Sequence, residues 1–132
     1  MVALEGDLGA GKTELARAVI RAWAGADIPV PSPTFTLLQV YDALPGGLTI
    51  THADLYRLRG DPDELAELGL EEAWENGALL VEWPDGALDL LPGDRLSLRL
   101  MHAPEAGAEA REVEVAAGES GRWADLVGEL GR

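Results

Sequence analysis

The sequence has no cysteine, a single lysine, a single asparagine and no apolar run of the roughly eighteen residues that a membrane-spanning helix needs. Without cysteine there is neither a disulfide framework nor a thiolate-ligated zinc or iron–sulfur site. With Lys12 the only lysine and Asn76 the only asparagine, an Asn-Lys-x-Asp motif for reading guanine is absent. The opening residues Met-Val-Ala-Leu-Glu lack the basic-then-apolar pattern of a signal peptide, so a soluble, cytoplasmic protein with no membrane partner is expected. Positive charge is scarce too. Twenty-four acidic against ten basic residues give a formal net charge of −14, a field that repels polyanions at long range and disfavours direct nucleic-acid binding. That charge is either a solvated acidic face or a docking surface for a basic protein partner.

What is present fits one domain. At 132 residues and 47% hydrophobic, the chain is long enough to bury one core and too short for two ordinary domains, so residues 1–132 are expected to form a single unit. Val2 to Glu5 reads as a short buried strand. A glycine-rich turn follows and opens a helix through Ala24, ended by Gly25, with Leu15, Ala16, Val19, Ile20 and Trp23 spaced to pack one face on a sheet. Pro29-Val-Pro-Ser-Pro33 is a stiff extended loop. Phe35–Tyr41 and Leu48–Ala53 predict a hairpin, and Asp61-Pro-Asp-Glu64 a capped start to an acidic helical region reaching about Glu75. Ala78-Leu-Leu-Val-Glu-Trp83 is apolar enough for a central strand covered on both faces. Arg95–Met101 and Arg111–Ala117 alternate like half-buried antiparallel strands, and Ser120–Leu130 reads as a closing helix.

Chemistry concentrates in Gly6-Asp7-Leu8-Gly9-Ala10-Gly11-Lys12-Thr13, which satisfies G-x-x-x-x-G-K-[ST] in the context that pattern requires, after a strand and before a helix. Glycines let backbone N–H groups face inward and the helix N-terminus adds partial positive charge, so the segment wraps a phosphate chain. Lys12 is expected to reach the β- and γ-phosphates, and Thr13 to place its hydroxyl on Mg²⁺. With the guanine device absent, ATP is the favoured nucleotide. The metal needs a carboxylate at the end of a hydrophobic strand beside the P-loop strand, and Glu82, closing Leu79-Leu80-Val81, fits; the bland alternative is a residue emerging at the sheet edge into water. Asp54, closing a more polar strand, is the runner-up. It could orient the attacking water, hold a metal-bound water, or simply pair with Arg57. Thr34, in Ser32-Pro33-Thr34, is a candidate γ-phosphate sensor or only part of a proline-braced turn. His52 and His102 read as structural, and Trp83 as core more than as a stacking platform.

Five motifs occur in order: residues 6–13, Ser-Pro-Thr-Phe-Thr-Leu (32–37), His-x-Asp-Leu-Tyr-Arg-Leu (52–58), Leu-Gly-Leu (68–70) and Val-Glu-Trp-Pro (81–84). Together they resemble the TsaE (YjeE) family, bacterial ATPases required for threonylcarbamoyladenosine on tRNA, and the resemblance covers nearly the whole chain. It implies a three-layer α/β, P-loop NTPase-like domain with a mixed parallel and antiparallel sheet. It implies ATP and Mg²⁺ as ligands, and partners TsaB and TsaD that do the transfer chemistry, with no stable tRNA grip by this chain. It maps the metal ligands onto Thr13 and Glu82 and the family aspartate onto Asp54, with Lys12 and the rest of 6–13 on the phosphates and Arg111 near a position that approaches nucleotide. Two departures are visible. Family members carry a longer segment ahead of the P-loop strand, whereas here Met1 stands five residues before Gly6, so base contacts from that region are expected to be lost. Glu14 replaces a second threonine after Gly-Lys-Thr. The competing functions are a P-loop small-molecule kinase, which needs an arginine-bearing lid, and a nucleotide-free scaffold that binds a partner.

Overall fold

The computed structural model describes residues 1–132 except 26–27, 34–35, 43–44, 59–60, 119–120, 122 and 131–132. Strand β1 (Val2–Glu5) leads through the glycine-rich turn into helix α1 (Lys12–Ala24), followed by β2 (Leu38–Tyr41), β3 (Ile50–Asp54), and helices α2 (Pro62–Glu67) and α3 (Leu70–Asn76). Then come β4 (Ala78–Glu82), β5 (Leu96–His102), β6 (Arg111–Ala117) and α4 (Ala124–Leu130). The six strands form one sheet in the order β2-β3-β4-β1-β5-β6. The four inner strands run parallel, while β2 and β6 pair antiparallel at the two edges. This is the mixed sheet that the resemblance implies.

The register decides which side chains meet which layer. Ala78, Leu80 and Glu82 pair with Ile50, His52 and Asp54 on one side of β4, and Leu80 and Glu82 pair with Val2 and Leu4 on the other. Residues paired in register share a sheet face. That face carries α1: Leu4, Ile50 and Leu80 pack with Ala16, Ile20 and Val30. The opposite face buries Ala53, Leu79 and Val81 against Leu55, Leu65, Leu70 and Leu91. Helix, sheet and helix make three layers, and the apolar character of β4 follows from being covered on both faces.

Local signals set most boundaries. Asp61 caps α2 by accepting the Glu64 N–H, with Pro62 in the first turn. Gly25 ends α1 in the left-handed conformation. Four expectations are modified. On α1, Ala16 and Ile20 are fully buried, but Val19 and Trp23 are 42% and 49% exposed, so the buried stripe is narrower than the spacing suggests; the Trp23 indole N–H instead donates to the Pro45 carbonyl. The acidic helical region is two helices, broken where Gly69 takes φ 71° ahead of α3. Strand β6 is largely exposed, because it closes an edge of the sheet. The second strand begins at Leu38, and residues 34–35 ahead of it, like 119–120 and 122 ahead of α4, lie outside the described residues. Among the described residues no helix is long and apolar enough to cross a membrane.

The asymmetry of α1 is testable. Ile20→Ala is expected to cost about 2–5 kcal/mol in denaturant unfolding, as a core truncation does, and Val19→Ala about 1 kcal/mol or less, since its side chain already meets water. Equal losses would mean that Val19 is packed as deeply as Ile20.

Candidate functional site

In an open α/β sheet ligands bind beyond the carboxyl ends of the parallel strands, and here those ends carry carboxylates. Glu5 ends β1, and Asp54 and Glu82 end β3 and β4 side by side in register. The turn after β1 passes over them. Gly6, at φ 143°, lies so close to β5 that a Cβ there would meet the Leu100 carbonyl oxygen at 2.6 Å, so only glycine lets the chain turn at this point. Gly11 takes φ 106° immediately before α1. The turn therefore delivers Lys12 and Thr13 onto the first turn of a thirteen-residue helix whose N-terminus faces the strand ends.

Lys12 is nearly buried. Its ammonium donates to the Gly6 and Asp7 carbonyls at 2.6 and 2.9 Å and lies 4.0 Å from the centre of the Trp83 ring, a cation–π distance. Trp83 takes a left-handed backbone conformation (φ 57°) and packs its ring on Tyr56, centroids 4.9 Å apart. The tryptophan expected as core is thus a wall of the lysine site. Burial pushes the Lys12 ammonium below the usual lysine value of 10.5, against the opposing pull of Glu82, Asp54, Asp7 and Asp85.

Thr13 Oγ1 donates to Glu82 Oε1 at 2.7 Å. Glu82 is 2% exposed and central in the sheet, which removes the alternative of a residue emerging at the sheet edge. Its other oxygen, Oε2, lies 2.6 Å from His52 Nε2. His52, expected to be structural, is in contact with the candidate metal carboxylate. The signal was available in outline, since His52 stands two residues before Asp54 and strand alternation puts both on one face; which strand lay beside them was not. Asp54 is also buried, and its Oδ1 accepts the Tyr56 N–H.

Arg111, 101 residues from Ala10 in the chain, donates from Nε to the Ala10 carbonyl at 3.0 Å, with a longer contact of 3.5 Å from its terminal nitrogen to the Gly9 carbonyl. It grips the outside of the turn by backbone oxygens, a partner that the sequence alone did not disclose. Glu14 is largely exposed and 3.8 Å from Arg17. Thr34 lies outside the described residues. Its neighbourhood is tied to the site nonetheless: the Leu37 N–H donates to the Pro33 carbonyl and the Asp54 N–H to the Leu37 carbonyl.

A cleft of about 130 Å³ is lined by Gly9, Gly11, Lys12, Thr13, Asp54 and Glu82, among others. A larger cavity of about 690 Å³, sharing Trp83, opens between Gly6, Asp7 and Ala10 on one side and Arg99, Leu100 and Met101 on the other. His102, exposed, is at its rim. Among the described residues no three His, Cys, Asp or Glu side chains converge as a metal site. A cation beside Thr13 and Glu82 would therefore take further oxygens from a ligand or water, the habit of Mg²⁺ in phosphate sites.

The lowered Lys12 value has a consequence for stability. Between that value and 10.5 the unfolded chain binds more proton than the folded one, so the contribution of Lys12 to stability rises with pH through that window. A ¹³C-labelled sole lysine is expected to titrate with a midpoint below 10.5, and Lys12→Met to remove the rise; a midpoint at or above the usual value would contradict burial as the dominant influence.

Comparison with known proteins identifies the family and the fold. Residues 1–113 match the family model described as "Threonylcarbamoyl adenosine biosynthesis protein TsaE". The "tRNA threonylcarbamoyladenosine biosynthesis protein TsaE" of Streptomyces coelicolor is 39% identical over 125 residues, covering 94% of this chain and 83% of that protein. The protein of the same name from Rickettsia conorii is 44% identical over 100 residues, covering 76% of this chain and 55% of its own length, so the match spans about half of that relative. The crystal structure of Bacillus subtilis YdiB superposes with a TM-score of 0.71 at 32% identity, over 99% of this chain and 76% of that one. Matched in sequence from β1 into β6 and in fold across nearly its full length, the chain belongs to the TsaE family.

Proposed function

We propose that this chain is a single-domain, cytoplasmic ATPase that binds ATP with Mg²⁺ and works as a subunit of the machinery forming threonylcarbamoyladenosine on tRNA, beside TsaB and TsaD. The observation that carries the reading is the 2.7 Å contact between Thr13 Oγ1 and Glu82 Oε1 at the mouth of the glycine-rich turn. Two oxygens of kinds that ligate divalent cations, 69 residues apart in the chain, meet beside a helix N-terminus and the one lysine. Their chemistry suits a divalent cation completed by phosphate oxygens and water. The names of the relatives supply the pathway.

In this reading the backbone N–H groups of residues 6–13 cradle the phosphates and Lys12 turns its ammonium to them. Thr13 and Glu82 hold Mg²⁺, which when bound neutralises charge on the phosphate oxygens. Asp54, on the adjacent strand end, orients the attacking water. Arg111 acts through the turn, holding the Ala10 carbonyl outward so that the N–H groups face the ligand. The larger cavity beside Gly6 has the size of a small-molecule site and offers room for the nucleoside. Transfer chemistry and tRNA contact fall to the partners, consistent with a net charge of −14. The kinase alternative gains little here. Arg17, Arg21, Arg95 and Arg111 donate to backbone carbonyls and Arg99 pairs with Glu5, so these five do not form a lid.

The deciding experiment measures phosphate release with and without TsaB, TsaD and tRNA, and nucleotide binding by calorimetry. Slow hydrolysis alone, raised by the partners, is expected. No release in the full mixture would sink the ATPase assignment, and absence of ATP binding would favour a nucleotide-free scaffold. Glu82→Ala is expected to abolish hydrolysis while leaving nucleotide binding partly intact. Asp54→Asn should lower turnover on the order of a hundredfold or more with a small change in KM, as loss of a group that positions the reacting water does. Arg111→Ala should weaken nucleotide binding instead, through a loosened turn; unchanged affinity would show that the Ala10 contact is incidental.

A further inference from the structure

His52 is fully buried in the middle of the sheet face that α1 covers, in register with Leu80 and on the same face as Ile50 and Asp54. A polar ring in such surroundings is costly unless it is hydrogen-bonded. Of its two ring nitrogens, Nδ1 is buried without a hydrogen-bond partner among the described residues, and Nε2 meets Glu82 Oε2 at 2.6 Å. An ionised carboxylate accepts and does not donate, so Nε2 carries the hydrogen and the ring serves this one contact. Both oxygens of Glu82 are engaged, Oε1 by Thr13 and Oε2 by His52, and each keeps a further lone pair.

We infer that His52 is a positioning residue. By pinning Oε2 it fixes the plane of the Glu82 carboxylate, so that Oε1 is presented to Thr13 and to a divalent cation held there. This rests on reading the Thr13–Glu82 pair as the metal side of the phosphate site. The physical reason is rotational: a carboxylate on a flexible side chain can turn to other donors, and Lys12 is near enough for Glu82 to pull on its ammonium. With Oε2 anchored from β3, turning toward Lys12 would break a short buried hydrogen bond. Outer contacts of this kind set the affinity of a metal site without touching the metal.

The test compares binding of a fluorescent ADP analogue, with and without Mg²⁺, to the wild-type protein, His52→Leu and His52→Gln; the glutamine amide nitrogen can stand where Nε2 does. His52→Leu is expected to raise the Mg²⁺ concentration for half-maximal binding by about tenfold while changing Mg²⁺-free affinity by no more than about twofold. His52→Gln should recover most of the loss. Since His52→Leu leaves a buried carboxylate oxygen without a donor and could fail to fold, a second measurement uses the wild type. With ADP bound, adding Mg²⁺ should shift the ¹⁵N resonances of the His52 ring while Nε2 stays protonated. A folded His52→Leu with unaltered Mg²⁺ dependence, no recovery in His52→Gln, or a ring indifferent to Mg²⁺ overturns the role of His52 alone. Wild-type nucleotide binding that ignores Mg²⁺ overturns the metal reading of Thr13 and Glu82, and the role of His52 with it.

Discussion

The architecture turns on keeping one carboxylate in place where water scarcely reaches it. An ionised Glu82 at 2% exposure would be prohibitively costly in apolar surroundings without donors, and its two donors come from different elements: Thr13 from the first turn of α1 and His52 from β3. For both to converge on the end of β4, that strand must lie between β1 and β3, as it does. The turn after Glu5 must also be tight enough to start α1 above it. That tightness is what Gly6 supplies, in a space where any side chain would strike the Leu100 backbone. Sheet order, a glycine with no substitute and a buried histidine are thus three consequences of one demand.

The parts that were legible in the sequence are those fixed by neighbours in the chain. The glycine-rich turn, the cap at Asp61 and the covered strand at 78–82 each announce themselves within a few residues. So do Thr13 and Glu82, since a threonine after Gly-Lys and a carboxylate closing an apolar strand are patterns of adjacency. What was not legible depends on distance in the chain. The grip of Arg111 on Ala10 spans 101 residues. The link from His52 to Glu82 exists only because β3 and β4 align in register, and the exposure of Val19 and Trp23 depends on how wide a stripe of α1 the sheet can cover. Trp83 departs from a core role for a related reason: its backbone is left-handed just past the end of β4 and its ring lies against the Lys12 ammonium.

Charge ties these pieces to function. Around the single lysine stand Glu82, Asp54, Asp7 and Asp85, each near enough to favour its charged form, while burial works the other way. A site with that balance is a poor host for a bare polyphosphate. Several more negative charges brought within a few ångströms of Glu82 and Asp54 would meet repulsion strengthened by the low local dielectric, and one ammonium with a helix N-terminus offsets only part of it. A divalent cation between carboxylate and phosphate changes the sign of the nearest interactions on both sides. On the function proposed, the same carboxylates that would repel phosphate alone would favour phosphate that arrives with a metal. In that reading an acidic protein is built around an anion-binding turn: the excess negative charge at the strand ends would couple nucleotide to cation, and the orientation of Glu82, held from behind by His52, would set how strong that coupling is.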